Sequence, residues 1–211
     1  MKKDLSRRKM LKAAVIIPFG ISSINVFSTS HTNPPIQDSI QPNVFGQRPG
    51  YTTQMSLLVS MMDWMRSVIL REVQGMSTKD LDYLHDKDSN SVGAMLMHLA
   101  ATERFYQIHT FENRAWGDWD QADADKWNIP SGLGPQARAK INGNSAQYYI
   151  DEISAVRETT LEELKNRDDE WLLKPDNEWF WGPTNNWCKW FHVCEHESNH
   201  NGQIKWLKGR M

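Results

Sequence analysis

The run Trp190-Phe191-His192-Val193-Cys194-Glu195-His196-Glu197-Ser198-Asn199-His200-Asn201-Gly202-Gln203-Ile204 places three of the chain's seven histidines at strict four-residue steps. Four residues are slightly more than one helical turn, so on a helix His192, His196 and His200 form one slowly drifting stripe. Neighbouring Cβ atoms in such a stripe are about 5–6 Å apart, close enough for one ion to bridge two rings. A His pair at i and i+4 is how helical metal sites present two nitrogens to one cation. The flanking Trp187, Trp190, Phe191, Ile204, Trp206 and Leu207 argue against a fully solvated helix, and buried imidazoles need partners.

Composition sets the frame for that helix. The chain has 211 residues, 39% of them hydrophobic, enough for one core domain with appendages. Residues 1–30 carry six of the 24 basic side chains against one of the 26 acidic ones, so the remainder has a net charge of −7. An acidic body argues against nucleic acid as a partner, because phosphate neutralisation needs surplus Lys and Arg. Cys188 and Cys194 are six residues apart, about 240° around a helix, too divergent for a local disulfide. They read as buried thiols.

The first thirty residues read as an address. Basic residues precede the apolar run Ala13-Ala14-Val15-Ile16-Ile17-Pro18-Phe19-Gly20-Ile21, the order of a signal peptide. That run falls short of the roughly 20 apolar residues a bilayer span needs, so no stable membrane span is expected once the signal is removed. Ser6-Arg7-Arg8-Lys9-Met10-Leu11-Lys12 resembles the twin-arginine export motif, which implies an exported, periplasmic or extracytoplasmic protein. Residues 31–50 have the Pro/Gly/polar character of a linker, leaving 51–211 as the folded domain.

Within that domain four helices are expected. The first runs from about Thr52 to Gln74, on the spacing of Met55, Leu58, Val59, Met62, Met65, Ile69 and Val73, and Gly75 ends it. The second is capped by Ser89 or Ser91 and runs to about Phe111, with His98 in its middle. Residues 112–144 read as a long irregular connection between helices 2 and 3, either functional or a lid. The third helix starts at Ser145 and ends near Asn166; the fourth runs from about Thr184 to Gly209 and carries the histidines. Moderate connections between the first and second and between the third and fourth suit antiparallel neighbours. The economical architecture is an all-α four-helix bundle.

Two stretches, Ser91-Val92-Gly93-Ala94-Met95-Leu96-Met97-His98-Leu99 and His196-Glu197-Ser198-Asn199-His200-Asn201-Gly202-Gln203-Ile204, resemble the signatures of the DinB-like (DinB/YfiT-like) superfamily. The resemblance spans about residues 52–209. It implies a four-helix bundle with a three-histidine metal site, falling here on His98, His196 and His200. Three neutral imidazoles leave coordination positions open, the arrangement of a catalytic rather than a structural site. A divalent metal ion there, with zinc, nickel or another transition metal all suited to imidazole, can lower the pKa of a bound water to about 7 or deprotonate a thiol.

His192 extends the stripe by a turn and is a candidate pocket-lining group or proton shuttle. Glu103, Glu195 and Glu197 have no placement as a general base, and His31, His85 and His109 are assigned no chemistry. Superfamily members include thiol-dependent transferases and isomerases. Export weakens a thiol reading, so the sequence favours a water-activating, hydrolase-like enzyme with a small-molecule substrate. The alternatives are a metal-dependent thiol S-transferase or isomerase and a non-catalytic metal-stabilised binding protein. In the last case the tryptophan-rich loops could serve an oligomer such as a homodimer, or a carbohydrate or other small ligand.

Overall fold

The computed structural model describes residues 41–211. The signal peptide expected over 1–30, the first part of the linker and His31 lie outside the described residues. Four long helices form the body: α1 (Thr53–Val73), α3 (Val92–Thr110), α6 (Ala146–Lys165) and α8 (Asn186–Lys208), with short helices α2 (Thr78–Leu81), α4 (Gln121–Gly132), α5 (Gly134–Lys140) and α7 (Asp169–Leu173) between them. A two-stranded antiparallel ladder, β1 (Pro175–Asp176) on β2 (Thr184–Asn185), precedes α8. Among the described residues no helix is long and apolar enough to cross a membrane.

Local chemistry explains the boundaries. Ser91 and Ser145 accept from the backbone N–H groups of Ala94 and Tyr148, and the Asn185 side chain accepts from that of Cys188, so α3, α6 and α8 each begin at a side-chain cap. Gly75, at φ +83°, takes the left-handed conformation that turns the chain away from α1. Residues 41–50 are not all free of the body: the Arg48 side chain is buried, and its backbone N–H donates to Ser56 Oγ of α1 at 3.0 Å.

Around the bundle, α1 packs on α8 and α6, and α3 packs on α6 and α8. The first and second long helices, α1 and α3, and the third and fourth, α6 and α8, therefore lie on the diagonals, contrary to the expectation of neighbouring hairpins, while α3 and α6 are neighbours. Segments 74–91 and 166–185 are long enough to cross the end of the bundle, at up to about 3.3 Å per residue. The juxtaposition that matters is α3 against α8, which places His98 opposite the histidine stripe.

The stretch expected to be irregular, 112–144, is largely helical. Its glycines and Pro130 read as breakers, yet Asp120 caps α4 by accepting from Asp123 N–H, and Trp127 buries itself against α3. Pro130 sits in the last turn of α4, where the chain is already leaving the helix. Leu133, at φ +50°, makes the corner into α5.

Two apolar clusters fill the interior. One gathers Leu96, Tyr149, Ile153 and Ile204 with Trp127 of α4; the other gathers Met55, Met62, Tyr106, Leu164 and Trp190. Gly93 sits where α3 meets α6 most closely: a Cβ there would fall 2.6 Å from the Tyr149 ring.

Candidate metal centre

His98 projects from the middle of α3, and His196 and His200 project from α8. One ligand nitrogen from each lies within 4.8 Å of the other two. The closest pair is His98 Nε2 and His196 Nε2, 2.9 Å apart. Ring centroids are separated by 4.9 Å (His98–His196), 5.1 Å (His98–His200) and 4.7 Å (His196–His200). These spacings suit nitrogens that share one ion at roughly 2.0–2.1 Å from each.

The surroundings fix which nitrogens are free. His98 Nδ1 lies 3.0 Å from the Pro130 carbonyl, which can only accept, so Nδ1 carries the proton and Nε2 keeps its lone pair. His200 Nδ1 lies 3.1 Å from Gln203 Oε1, which directs its Nε2 the same way. Burial holds the three rings neutral. His196 is pushed down to about 3 by burial and by His200, His98 and His192; His200 is pushed down to about 4 by burial and by His98. Burial lowers His98 as well, against an opposing pull from the Pro130 and Ser131 carbonyls. Three lone pairs are therefore available at neutral pH. The donor set fits a divalent transition-metal ion and does not choose among zinc, nickel and their neighbours.

His192 does not join the cluster. Its Nδ1 lies 2.8 Å from the Tyr106 hydroxyl, and its ring sits 5.5 Å from that of His196, beside the cluster. Burial lowers its pKa, partly opposed by Glu195, and burial raises that of Tyr106.

Beneath the histidines lies a closed ionic network with no counterpart in the sequence expectations. Arg157 Nε donates to Glu103 Oε1 at 2.8 Å, and Arg66 Nη2 donates to Glu103 Oε2 at 2.9 Å. Glu197 Oε1 accepts from Arg66 Nε at 2.9 Å and Arg157 Nη2 at 3.0 Å. Thr160 Oγ1 donates to Glu103 Oε1 at 2.6 Å. The two carboxylates neutralise the two guanidiniums, and all four long helices contribute a side chain. Burial alone would raise Glu103, but Arg157 and Arg66 outweigh it and hold its carboxyl below the usual range. Glu197 neighbours His196 in sequence, so the network locks the rotation of α8 that aims the stripe at α3. A signal for it existed: Arg66, Glu103, Arg157 and Glu197 each fall at a helical position in phase with the apolar stripe of their own helix.

The cysteines are split. Cys188, in the first turn of α8, is exposed, contrary to the expectation of two buried thiols; Cys194 is buried, and burial pushes its thiol up to about 12, which keeps it protonated and inert. His109, at the end of α3, lies with Lys189 and Asp176 in a wide cleft of about 1140 Å³. None of the three clustered histidines lines it. A smaller cavity of about 520 Å³, with Asn90, Asn199, Gln203 and Trp206 in its wall, adjoins the His200 end of the cluster.

Comparisons with known proteins bear on the same region. No curated protein matches the chain. Among solved structures, a conserved protein from Enterococcus faecalis superposes with a TM-score of 0.54 at 17% identity, covering 72% of this chain and 94% of that one, a likeness of fold. The family model described as Mycothiol-S-transferase matches residues 57–211, from the first turns of α1 to the final residue, with His98, His196 and His200 inside it. The chain belongs to the Mycothiol-S-transferase family, a DinB-like family.

Proposed function

We propose that this protein is a metal-dependent thiol S-transferase, joining a low-molecular-weight thiol to an electrophilic small molecule at the His98–His196–His200 cluster. The observation that carries it is the convergence of three neutral imidazoles from α3 and α8 within 4.8 Å, in a chain of the Mycothiol-S-transferase family. Family membership favours this over water activation, the reading that the sequence alone preferred.

A divalent ion held there supplies the acidity that favours the thiolate form of a bound thiol at neutral pH. The chain supplies the rest. Pro130 and Gln203 keep protons on the outer nitrogens of His98 and His200, so the inner lone pairs stay available. The buried ion-pair network fixes the helices that carry them. With the Tyr106 hydroxyl donating to Nδ1, neutral His192 carries its proton at Nε2, one ring away from His196. From there it can hydrogen-bond the sulfur or hand a proton to a departing group. Export through Arg7-Arg8, which the sequence reading set against a thiol partner, is a separate proposal tested by cell fractionation.

The deciding experiment incubates protein loaded separately with zinc or nickel with mycothiol and 1-chloro-2,4-dinitrobenzene, and follows the thioether by mass spectrometry. Conjugation that requires metal and is lost in His200→Ala is expected. Absence of thioether together with metal-dependent hydrolysis of 4-nitrophenyl acetate would return the assignment to a hydrolase.

A further inference from the structure

Large apolar side chains exposed together mark a contact surface on a folded chain. Phe180 is 67% exposed, Trp181 42% and Trp116 37%. They come from two loops far apart in sequence, yet their rings meet. Trp116 and Phe180 have centroids 5.9 Å apart, and Phe180 and Trp181 are 5.2 Å apart. Trp116 also stacks on Phe105 of α3 at 4.8 Å, with 17° between the planes.

The inner end of this array is anchored. Trp179 is buried, with Lys189 Nζ 4.4 Å from its ring centre and the His109 ring 4.5 Å away. The outer rings pack on Trp179 from the solvent side, at 5.2 Å for Trp116, 4.6 Å for Phe180 and 5.2 Å for Trp181, and keep their far faces exposed. The array also ends on the histidine stripe, because Trp181 lies 5.5 Å from His192 and His192 lies 5.5 Å from His196. The exposed aromatic wall therefore runs from solvent to within two ring contacts of the metal-binding nitrogens.

We infer that this wall holds the acceptor in thiol transfer, and that the acceptor is a planar, apolar electrophile bearing a leaving group. The inference rests on the S-transferase reading above. In the transfer the thiol loses its proton to solvent or to a neighbouring base. The sulfur's electron pair forms the new S–C bond, and the leaving group departs with the pair of the broken bond, so no oxidant or reductant is needed. Ring faces and edges on Trp116, Phe180 and Trp181 suit a flat partner by stacking, and none of the three offers a charge to a charged one. The smaller cavity at the other end of the cluster, of mixed lining with Asn90, Asn199 and Gln203 beside Met95 and Trp206, leaves the thiol's own polar groups a separate place.

The test uses the full chain loaded with metal and a non-reactive probe, 1,3-dinitrobenzene, whose binding is read by equilibrium dialysis without thiol. Phe180 is 67% and Trp181 42% exposed and neither supplies a clustered nitrogen, so Phe180→Ala/Trp181→Ala should keep its metal and stay folded, with a modest drop in melting temperature. Its dinitrobenzene Kd should rise roughly tenfold, as expected for loss of two stacking rings, and Trp181→Phe should retain most of the affinity. With mycothiol present, the preference for 1-chloro-2,4-dinitrobenzene over iodoacetamide should fall in the same variant. Unchanged dinitrobenzene affinity overturns the inference. So does a variant that loses only self-association in sedimentation, which would make the wall an interface between copies. The two proposals separate cleanly: tenfold weaker binding with no conjugation by the wild type removes thiol transfer and leaves the aromatic subsite, whereas conjugation indifferent to the variant removes the subsite alone.

Discussion

Pro130 presents its carbonyl oxygen to His98 Nδ1 at 3.0 Å, so the last turn of α4 determines which nitrogen of an α3 histidine faces the cluster. Gln203 does the same for His200 through a side chain. Because only the second contact can be removed by substitution, Gln203→Leu is the informative variant. Metal affinity should fall about 10–100-fold, the usual effect of losing an orienting hydrogen bond, while His98→Ala should abolish stoichiometric binding. Competition with a chelating indicator measures both.

Removing the metal should loosen the whole bundle rather than one loop, since the ion would join α3 to α8. An ion that binds only the folded state stabilises it by about 2.7 kcal/mol at a free concentration 100 times its Kd. Calorimetry with and without chelator should therefore show a melting temperature that climbs with free metal. In His196→Ala/His200→Ala it should be insensitive to metal.

Acid should destabilise the metal-free protein well above the range where carboxylates titrate. The buried rings of His196 and His200 resist protonation down to about 3 and about 4, whereas in the unfolded chain they take up protons near their ordinary 6.5. The unfolded state thus binds more protons as pH falls below 6.5, and folding stability drops from there towards 4. Urea midpoints at pH 7.5, 6.0 and 5.0 should decline in that order for the wild type. The His196→Ala/His200→Ala variant should show a flatter trend.

Gly93→Ala should be costly despite its small size. The added methyl would lie 2.6 Å from Cζ and Oη of Tyr149, a ring that is itself fully buried. Overpacking of this kind costs about 1–3 kcal/mol. Adding Tyr149→Phe should recover part of the loss, and denaturant unfolding of the pair checks it.

Glu103→Gln should destabilise by about 3–5 kcal/mol, because it leaves Arg66 and Arg157 facing one carboxylate in a buried site. A urea midpoint within error of wild type would show that the network is more hydrated than its burial implies.

Much of this was legible in the chain. Apolar positions at helical spacing and the serines at 91 and 145 placed the long helices to within a few residues, and the four-residue histidine steps placed two corners of the cluster. His98 was a candidate by its place in mid-helix, but a single histidine on an apolar face carries no spacing signal, and the resemblance is what singled it out. Pro130 was out of reach, because any residue can offer a backbone carbonyl and the pairing depends on a helix hidden among apparent breakers. The circular order of the helices was likewise misread, since loop length alone does not separate a neighbour from a diagonal.

The four charges shared by Arg66, Glu103, Arg157 and Glu197 cancel only as a complete set. A lineage of related bundles should therefore treat these positions as one heritable character, kept whole or exchanged whole for apolar residues. Chains caught with three of the four would be rare, because each such intermediate strands a charge away from water.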